Sequence, residues 1–401
     1  MDIDPELGRA SVEVARILER PFHGKEVAPA DAVRLFAAQG ADRNALFRAA
    51  DALCRQSHGD RASFVVCRNI NFTNICYMGC QFCGFAKRRD QEGAEVLELN
   101  EIVRRAREAR DRGATEICIQ GGLNPHLDWR RYQRMVEAIK AELPDLHIHA
   151  FSPFEIWYGA KQAKMAYRDY ILDLKAAGLG SMPGTAAEIL DVTIRKQLTR
   201  DKLSTDDWVT IVKAAHAVGV PSTATIMYGH IDGPEHWAAH LDLLRKIQKE
   251  TGGFTELVPL GFVHQDSPLY HRRDDVRAGP SEDESLKMHA VARVMLHGHI
   301  DNIQVSWVKL GHAMAVKMLQ SGANDLGGTL MNESISRAAG ATYGQEMTPS
   351  EMVALARAAG RVPFQRSTLY ETLDVFDDHD PAPIDPLVAR DGIAPLDFLS
   401  T

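Results

Sequence analysis

The feature that most constrains the fold of this chain is a repeated alternation between short β-rich runs and amphipathic helical stretches. Eight β-rich runs are predicted, at 64–72, 115–120, 146–151, 178–184, 220–229, 254–263, 302–307 and 323–330. Helical patterns fill the intervals, and several of them begin at Asn, Ser or Pro and end at Gly, the usual start and stop residues of helices. This alternation is typical of a parallel α/β fold.

Eight such units between residues 63 and 375 predict a (β/α)8 barrel of the TIM type, whose chemistry lies on the loops after the strands. An open, doubly wound sheet is the alternative, because counting strands does not show closure. Residues 1–62 are predicted to form a helical extension that precedes the barrel. Residues 376–401, rich in Pro and Asp, are predicted to form a C-terminal tail.

The composition restricts the classes of partner and compartment. Among 401 residues, 46 Lys and Arg stand against 54 Asp and Glu, a formal charge of −8. This mild acidity argues against nucleic acid or an anionic membrane as partner, because binding phosphate groups needs concentrated positive charge. The first twenty residues are charged and lack an apolar run, so no signal peptide is expected, and no run reaches the roughly 20 apolar residues that span a bilayer. A cytoplasmic protein is expected, in which grouped cysteines indicate metal binding or catalysis rather than disulfides.

Three of the six cysteines stand together directly after the first predicted strand, as Cys76, Cys80 and Cys83 in the spacing C-x3-C-x2-C. Three thiolates on one tight loop can hold three corners of a cubane 4Fe–4S cluster. The fourth iron then keeps an open position for a small molecule, as catalytic metal sites do. Phe82 is expected to shield the cluster and to pack against an adenine. A zinc site completed by a nearby histidine is the alternative, although zinc sites favour paired C-x2-C knuckles.

The motif C-x3-C-x-aromatic-C at the end of a first barrel strand resembles the radical S-adenosylmethionine (SAM) superfamily. The stretches "NINFTNICYMGCQFCGFA", "GLGSMPGTAAEIL", "TIMYGHIDGPEHWAAHL" and "GANDLGGTLMNESISRAAGA" further resemble one family within it. This is the family of 5-amino-6-(D-ribitylamino)uracil–L-tyrosine 4-hydroxyphenyl transferases, or FO synthase subunit 2, and the likeness runs from about Ser63 to Tyr370. The alternatives are aminofutalosine synthase of menaquinone biosynthesis and, from another class, a zinc-binding barrel without radical chemistry.

The resemblance implies one 4Fe–4S cluster, held by the three cysteines, and SAM as co-substrate. The implied reaction joins the 4-hydroxybenzyl group of L-tyrosine to 5-amino-6-(D-ribitylamino)uracil, in biosynthesis of the deazaflavin FO. It releases 2-iminoacetate, 5′-deoxyadenosine and methionine. The resemblance also implies a flavodoxin- or ferredoxin-type reductant and a companion radical SAM cyclase, FO synthase subunit 1.

Polar residues at the predicted strand ends are the candidates for the rest of the site, because a barrel brings strand ends together. The cofactor-binding candidates are Phe82, Gln120, Gly121, Gly122, Ser152 and Glu188. The substrate-binding candidates are His149, Glu155, His264 and Asn324, and the catalytic candidates are Tyr228, His230 and Asp325. Strand seven adds Ser306 and Lys309. The superfamily's usual Gly-Gly-Glu is Gly121-Gly122-Leu123 here, so backbone carbonyls, helped by Gln120, are expected to hold the SAM amine.

Structural alternatives stay open for several of these residues. Glu188 would equally suit the first turn of a helix, where a carboxylate favours the dipole. His147 and His149 share one face of their strand, and one of them is an alternative core residue. Cys67 is assigned a packing role. For Asp325 the glycines that follow it favour contact with a ligand, because they let backbone approach closely.

Overall fold

The computed structural model describes residues 9–199 and 202–387 of the chain. The strands are β1 (Arg61–Val65), β2 (Cys67–Asn71), β3 (Glu116–Gln120), β4 (His147–Ala150), β5 (Ser222–Tyr228), β6 (Phe254–Gly261), β7 (Asp325–Gly328), β8 (Val362–Arg366) and β9 (Thr372–Val375). The helices are α1 (Val12–Phe22), α2 (Pro29–Phe36), α3 (Gly40–His58), α4 (Leu99–Asp111), α5 (Arg130–Glu142), α6 (Pro153–Ala163), α7 (Tyr167–Ala177), α8 (Val192–Leu198), α9 (Thr205–Ala217), α10 (Pro234–Thr251), α11 (Pro268–Arg272), α12 (Glu282–Leu296), α13 (Trp307–Leu310), α14 (His312–Leu319), α15 (Ile335–Ala338) and α16 (Pro349–Ala358).

The parallel strands form a closed ring. β1 and β2 are one run broken at Val66; β2 pairs with β3, β3 with β4, β5 with β6, and β7 with β1. Single bridging pairs supply the remaining joints: His149 with Ser181, Met182 with Ser222, Leu257 with Ile303, and Gln304 with Asp325. The ring therefore confirms the predicted eight-stranded barrel and excludes the open-sheet alternative.

Two of the eight predicted strands are reduced to these bridging positions. The run 178–184 contributes only Ser181 and Met182 because Pro183, which has no N–H to donate, ends the pairing. The run 302–307 contributes only Ile303 and Gln304 before α13 begins. The remaining predicted runs match strands to within three residues at each end, and the first begins earlier than predicted, at Arg61.

Two strands beyond the ring were not predicted from the sequence. β8 pairs in parallel with β1, from Arg61 opposite Val362 to Phe64 opposite Gln365, and β9 pairs antiparallel with β8. Pro363 lies within β8 and weakens the strand signal, because proline cannot donate to a ladder. The amino-terminal half of the first barrel strand thus lies between β7 and β8, whereas its carboxyl-terminal half pairs with β3.

A buried ion pair joins β8 to the ring. Arg366, the last residue of β8, donates from Nε to Asp325 Oδ2 at 2.5 Å and from Nη2 to Asp325 Oδ1 at 3.1 Å. The Ser63 hydroxyl donates to the same carboxylate, and the two ionic side chains are 2% and 0% exposed. One carboxylate therefore ties the first barrel strand, the last barrel strand and the segment after the barrel together.

From residue 9 onward, three helices precede the ring and cover barrel helices. α3 packs on α12, and α2 packs on α10 and α12. The ring of Phe36 meets Trp237 edge to face at 5.1 Å, and Arg245 donates to the Val27 carbonyl at 2.9 Å. At the other end of the chain, Phe376 stacks on Phe64 at 5.8 Å, while residues 1–8 of the predicted extension and 388–401 of the predicted tail lie outside the described residues.

No helix within residues 9–199 and 202–387 combines the length and apolar character needed to cross a lipid bilayer.

We predict that Arg366→Ala lowers the free energy of unfolding by about 3–5 kcal/mol, because it leaves the buried Asp325 carboxylate without its cation. Arg107→Ala is the matched control, since Arg107 pairs with Glu142 on the surface and such pairs contribute about 1 kcal/mol or less. Urea unfolding followed by circular dichroism measures both. Equal losses of unfolding free energy in the two variants would show that Arg366 is not needed to stabilise the buried Asp325 carboxylate.

Candidate active site

A cavity of about 420 Å³ lies inside the barrel. Alternate residues of the strands line it: Cys67 and Asn69 from β2, Glu116, Cys118 and Gln120 from β3, Thr223, Thr225 and Met227 from β5, and Glu256, Val258 and Leu260 from β6. This is the two-residue period of a strand, which sends every second side chain inward. TIM barrels usually fill this space with bulky apolar side chains, whereas polar and small ones leave it open here.

The three clustered cysteines face this cavity from the loop that follows β2. All of Cys76, Cys80 and Cys83 are free thiols that line it. Backbone hydrogen bonds hold the loop in place, from Cys76 N to the Lys87 carbonyl at 3.0 Å and from Cys83 N to the Cys80 carbonyl at 3.2 Å. Arg88 adds donations from Nη1 to the carbonyls of Cys76 and Tyr77, at 3.0 and 2.7 Å.

Gly121 and Gly122 lie directly against this loop. A Cβ at Gly122 would lie 2.4 Å from the Ile75 carbonyl oxygen, and one at Gly121 would lie 2.6 Å from the Phe72 ring. Both glycines line the cavity, so their backbone is exposed to any molecule bound beside the cysteines. The predicted contact of this backbone with SAM stays a prediction, and the packing shows why no side chain is tolerated there.

The cysteine loop fits an iron–sulfur cluster. Three thiols on one wall of a cavity leave the cavity side for a small ligand, as a cubane with one open corner requires. Burial raises the pKa of the Cys83 thiol to about 11, and Cys80 adds to the rise, so iron must displace a firmly held proton. Among the described residues, no three His, Cys, Asp or Glu side chains meet closely enough to hold a single metal ion.

Glu155 and Ser152 act together at the amino end of α6. Glu155 Oε2 accepts from the Ser152 backbone N and hydroxyl, each at 2.7 Å, and the Ser152 hydroxyl accepts from Glu155 N, which is a capping box. Glu155 Oε1 accepts from Gly121 N at 3.1 Å. Burial raises the Glu155 pKa to about 7 against these hydrogen bonds. Both residues line the cavity, and their predicted binding roles stay predictions. The S-x-x-E pattern indicates the capping box in retrospect, whereas nothing local marks the contact of this carboxylate with the Gly121 backbone.

Glu188 lines the cavity as part of an ion-paired group. Its Oε1 pairs with Lys202 Nζ at 2.5 Å and its Oε2 with Arg195 Nη1 at 3.4 Å. The Lys202 ammonium lies 5.0 Å from the centre of the Phe82 ring, between the cysteines. The helical alternative for Glu188 is wrong, because α8 begins at Val192 and Asp191 is its N-cap.

His149 and Gln120 meet polar neighbours within the cavity wall. His149 Nδ1 and His147 Nε2 both reach the Ser181 hydroxyl, at 2.7 and 2.8 Å, but only His149 lines the cavity. Burial lowers the pKa of His149 to about 3, so its imidazole is neutral. Gln120 Oε1 accepts from the Thr185 hydroxyl at 2.9 Å.

Three predicted residues from strands five and six lie away from the cavity. Met227 lines it, so Tyr228 points to the opposite face, where its ring meets Trp237 at 5.9 Å. The His230 ring bonds through Nε2 to the Met227 carbonyl at 3.1 Å, and His264 packs on Tyr270 at 4.7 Å. Contrary to the prediction, none of the three is brought to the cavity wall.

Asn324 and Asp325 also take structural positions instead of the predicted ones. Asn324 Oδ1 accepts from Arg293 Nη2 and from Ile303 N, each at 2.8 Å. Asp325 is held by Arg366 and Ser63, and the cavity wall includes the arginine but not the carboxylate. The glycine-rich signal after Asp325 reflects tight packing, since a Cβ at Gly328 would lie 2.2 Å from Cys67 Sγ.

Sequence reasoning missed part of the cavity wall. Glu116, Glu256, Gln304 and Glu333 line it, as do Arg366 and Thr368 beyond the ring. The two-residue period of a strand could have identified Glu116 and Glu256. Each lies on the same strand as a lining residue near the strand end and an even number of residues before it. Nothing local marks Arg366 or Thr368, whose place depends on the pairing of β8 with β1.

Comparison with known protein families gives two matches along the chain. Residues 70–244 match the Radical SAM superfamily, and residues 251–379 match the CofH/MqnC C-terminal region. The structure is also similar to that of HydG, a maturase of the [FeFe]-hydrogenase. This similarity has a TM-score of 0.70 at 15% identity and covers 90% of this chain and 77% of HydG, which supports the fold alone.

Curated relatives share about half of their residues with this chain. The 5-amino-6-(D-ribitylamino)uracil–L-tyrosine 4-hydroxyphenyl transferase of Methanothermobacter thermautotrophicus is 48% identical over 86% of this chain and 94% of its own length. The FO synthase of Mycobacterium tuberculosis (strain ATCC 25618 / H37Rv) is 52% identical over 84% of this chain, which spans only 40% of that enzyme. The chain therefore belongs to the radical SAM family that contains these transferases and the matching part of the FO synthases.

Proposed function

We propose that this protein joins the 4-hydroxybenzyl group of L-tyrosine to 5-amino-6-(D-ribitylamino)uracil, in biosynthesis of the deazaflavin FO. The observation that carries the proposal is the 48% identity to a transferase so named, over 94% of that enzyme's length. The cysteine loop beside a polar cavity supports it, because the reaction needs a cluster and two polar substrates in one enclosed space. A companion radical SAM cyclase is proposed as partner, as the resemblance to the transferase family implies.

A 4Fe–4S cluster and SAM supply hydrogen-atom abstraction when they are bound, which begins breakage of the tyrosine Cα–Cβ bond. Cys76, Cys80 and Cys83 would hold the cluster. Glu155 fixes the Gly121 backbone beside them, and the barrel wall surrounds the space in which the reacting groups would meet. Because His149 is neutral, it can exchange hydrogen bonds with a substrate without adding charge.

The test is mass spectrometry of an anaerobic, reduced reaction that contains SAM, L-tyrosine and 5-amino-6-(D-ribitylamino)uracil. We expect a benzylated uracil adduct together with 5′-deoxyadenosine, methionine and 2-iminoacetate. Cys80→Ala is the control and is expected to lose bound iron and all four products, because one corner of the cluster loses its ligand. Deoxyadenosine without the adduct would contradict the proposed acceptor, and iron retained by Cys80→Ala would contradict the proposed ligand set.

Glu155 predicts a pH dependence of stability. Its pKa is raised by burial to about 7 in the folded protein, so the folded state favours the protonated form. Burial of the protonated Glu155 carboxyl therefore contributes up to about 3 kcal/mol to the free energy of unfolding. This contribution is fully present below about pH 4.5 and is lost as the pH rises through 7. We expect Glu155→Gln to reduce the fall in unfolding free energy between pH 5 and pH 8, measured by urea unfolding.

The control for this variant is Glu351→Gln. Glu351 forms the same capping box with Thr348 at the start of α16, so its variant shows the effect of replacing a capping-box carboxylate by an amide at another helix. A fall between pH 5 and pH 8 that is as steep in Glu155→Gln as in the wild type would contradict the assignment.

We further propose an acidic flavodoxin- or ferredoxin-type protein as electron donor. The support is positive charge around the cysteine loop of an otherwise acidic chain. Contacts of the cysteine loop identify the segments that surround it. Gln81 N donates to the Leu198 carbonyl, Leu269 N donates to the Gln81 carbonyl, and a Cβ at Gly84 would touch the Ala338 carbonyl. The segments 87–90, 196–199, 265–275 and 337–339 that surround the loop hold seven Lys or Arg against four Asp, whereas the whole chain carries −8. A compartment with such carriers and reduced thiols, the cytoplasm, is proposed with it.

The donor proposal is tested by a triple variant, Lys196→Glu with Arg272→Glu and Arg337→Glu, at three exposed positions. We expect the rate with a reduced flavodoxin to fall about tenfold at low salt, because the acidic carrier loses electrostatic steering. The rate with dithionite should not change. The charge-matched control is Lys213→Glu with Lys246→Glu and Lys317→Glu, on outer helices. Equal effects of the two triple variants would argue against this surface.

A further inference from the structure

The cavity extends to the amino-terminal end of the barrel, far from the cysteines. Cys67 and Glu116 are the first residues of β2 and β3, and both line the cavity. Arg366 and Thr368, which end β8 and follow it, line the same end. We call the group Glu256, Gln304, Arg366 and Thr368 the floor. It is a polar surface at a depth where barrels normally hold packed apolar side chains.

Three donors converge on one oxygen of the Glu256 carboxylate. Gln304 Nε2 donates to Oε2 at 3.1 Å, Arg366 Nη2 donates at 3.4 Å, and the Tyr370 hydroxyl donates as well. Within the described residues no hydrogen bond engages Oε1. Burial raises the Glu256 pKa to about 7, while Arg366 opposes the rise and Asp325 adds to it. The free oxygen can therefore accept a hydrogen bond, and the carboxyl can also donate one when it is protonated.

Two further polar atoms on the cavity wall have no partner. Asn69 Oδ1 and Thr368 Oγ1 are buried and make no hydrogen bond with any described residue, and both residues line the cavity. Each such atom costs about 1–3 kcal/mol while it is unpaired. A bound molecule with several hydroxyl groups would satisfy them.

The charges on the cavity wall indicate where an anionic group of a ligand is favoured and where a neutral one is. At the floor, one cation, Arg366, is already paired with both Glu256 and Asp325, and the charge of Glu116 acts on Glu256. A ligand carboxylate placed there would meet like charge. By contrast, Lys309 lies on the cavity wall with its ammonium 2.7 Å from the Ser336 hydroxyl and no carboxylate of the described residues at ion-pair distance. The carboxylate of an amino acid is thus better placed near Lys309 than at the floor.

We propose that the floor binds the polyhydroxylated side chain of the acceptor, a ribityl-type chain, and holds the uracil ring above it on the side of the cysteine loop. This inference rests on the proposed function and assigns a place to one half of its second substrate. It explains why the segment after the barrel enters the cavity, because that segment supplies Thr368 and fixes Glu256 through Arg366 and Tyr370.

The experiment is titration calorimetry of the reconstituted, oxidised protein, in which no turnover occurs, with two acceptors. One is 5-amino-6-(D-ribitylamino)uracil and the other is 5-amino-6-methylaminouracil, which lacks the polyol. We expect the wild type to bind the ribityl compound more tightly. Thr368→Val should weaken that binding about fivefold, the value of one neutral hydrogen bond, and leave the methyl compound unaffected. Glu256→Gln should weaken it about tenfold with the same selectivity, because a hydrogen bond to a carboxylate is replaced by a weaker one to a neutral amide.

Thr115→Val is the matched control. Thr115 Oγ1 is also buried without a partner, but Thr115 does not line the cavity, so this variant should bind both acceptors as the wild type does. Circular dichroism and the thermal midpoint verify that each variant is folded. If a floor variant does not fold, the preference of the wild type between the two acceptors decides.

Equal binding of the two acceptors by the wild type would overturn the inference, as would equal losses for both acceptors in Thr368→Val and Glu256→Gln. Neither result affects the proposed function if the adduct with tyrosine still forms. If the wild-type reaction forms no adduct with the ribityl compound and none with the methyl compound, the proposed function is overturned, and this inference with it.

Discussion

The buried pair between Asp325 and Arg366 is the interaction on which the arrangement of the barrel depends. A carboxylate with no exposed surface is tolerated only when a cation and further donors replace its water. Arg366 and Ser63 provide these donors, from β8 and from the first barrel strand. The electrostatic requirement of one side chain therefore fixes where the chain runs after the barrel has closed.

That position determines the shape of the site. With β8 held beside β1, the segment from Arg366 to Tyr370 closes the amino-terminal end of the cavity with polar groups. The opposite end is formed by the cysteine loop, which the Gly121–Gly122 backbone approaches more closely than any side chain would allow. The cavity between them offers thiols at one end and hydroxyl, amide and carboxyl groups at the other. This polarity along one axis suits two chemically different ligands better than one.

The fold could be predicted largely from the sequence, whereas the site could be predicted only in part. Cys76, Cys80 and Cys83 lie on one short loop, so their proximity is a local property. Gln120, His149 and Glu155 were found because strand ends converge in a barrel. The same rule failed for Tyr228, because it does not say which of two neighbouring residues points inward. Here Met227 points into the cavity and Tyr228 does not. The prediction for Asp325 failed because the glycines that follow it allow close packing against Cys67 rather than contact with a ligand.

Residues close together in the chain specify the alternation of strands and helices, the cysteine spacing and the family, so all three can be recognised before the fold is known. The tertiary structure decided how Glu155 is used, where Glu188 lies and what forms the floor. These depend on contacts between residues far apart, such as Gly121 with Glu155 and Asp325 with Arg366. A buried carboxylate is placed by the donors that it finds on folding, and local sequence does not specify them.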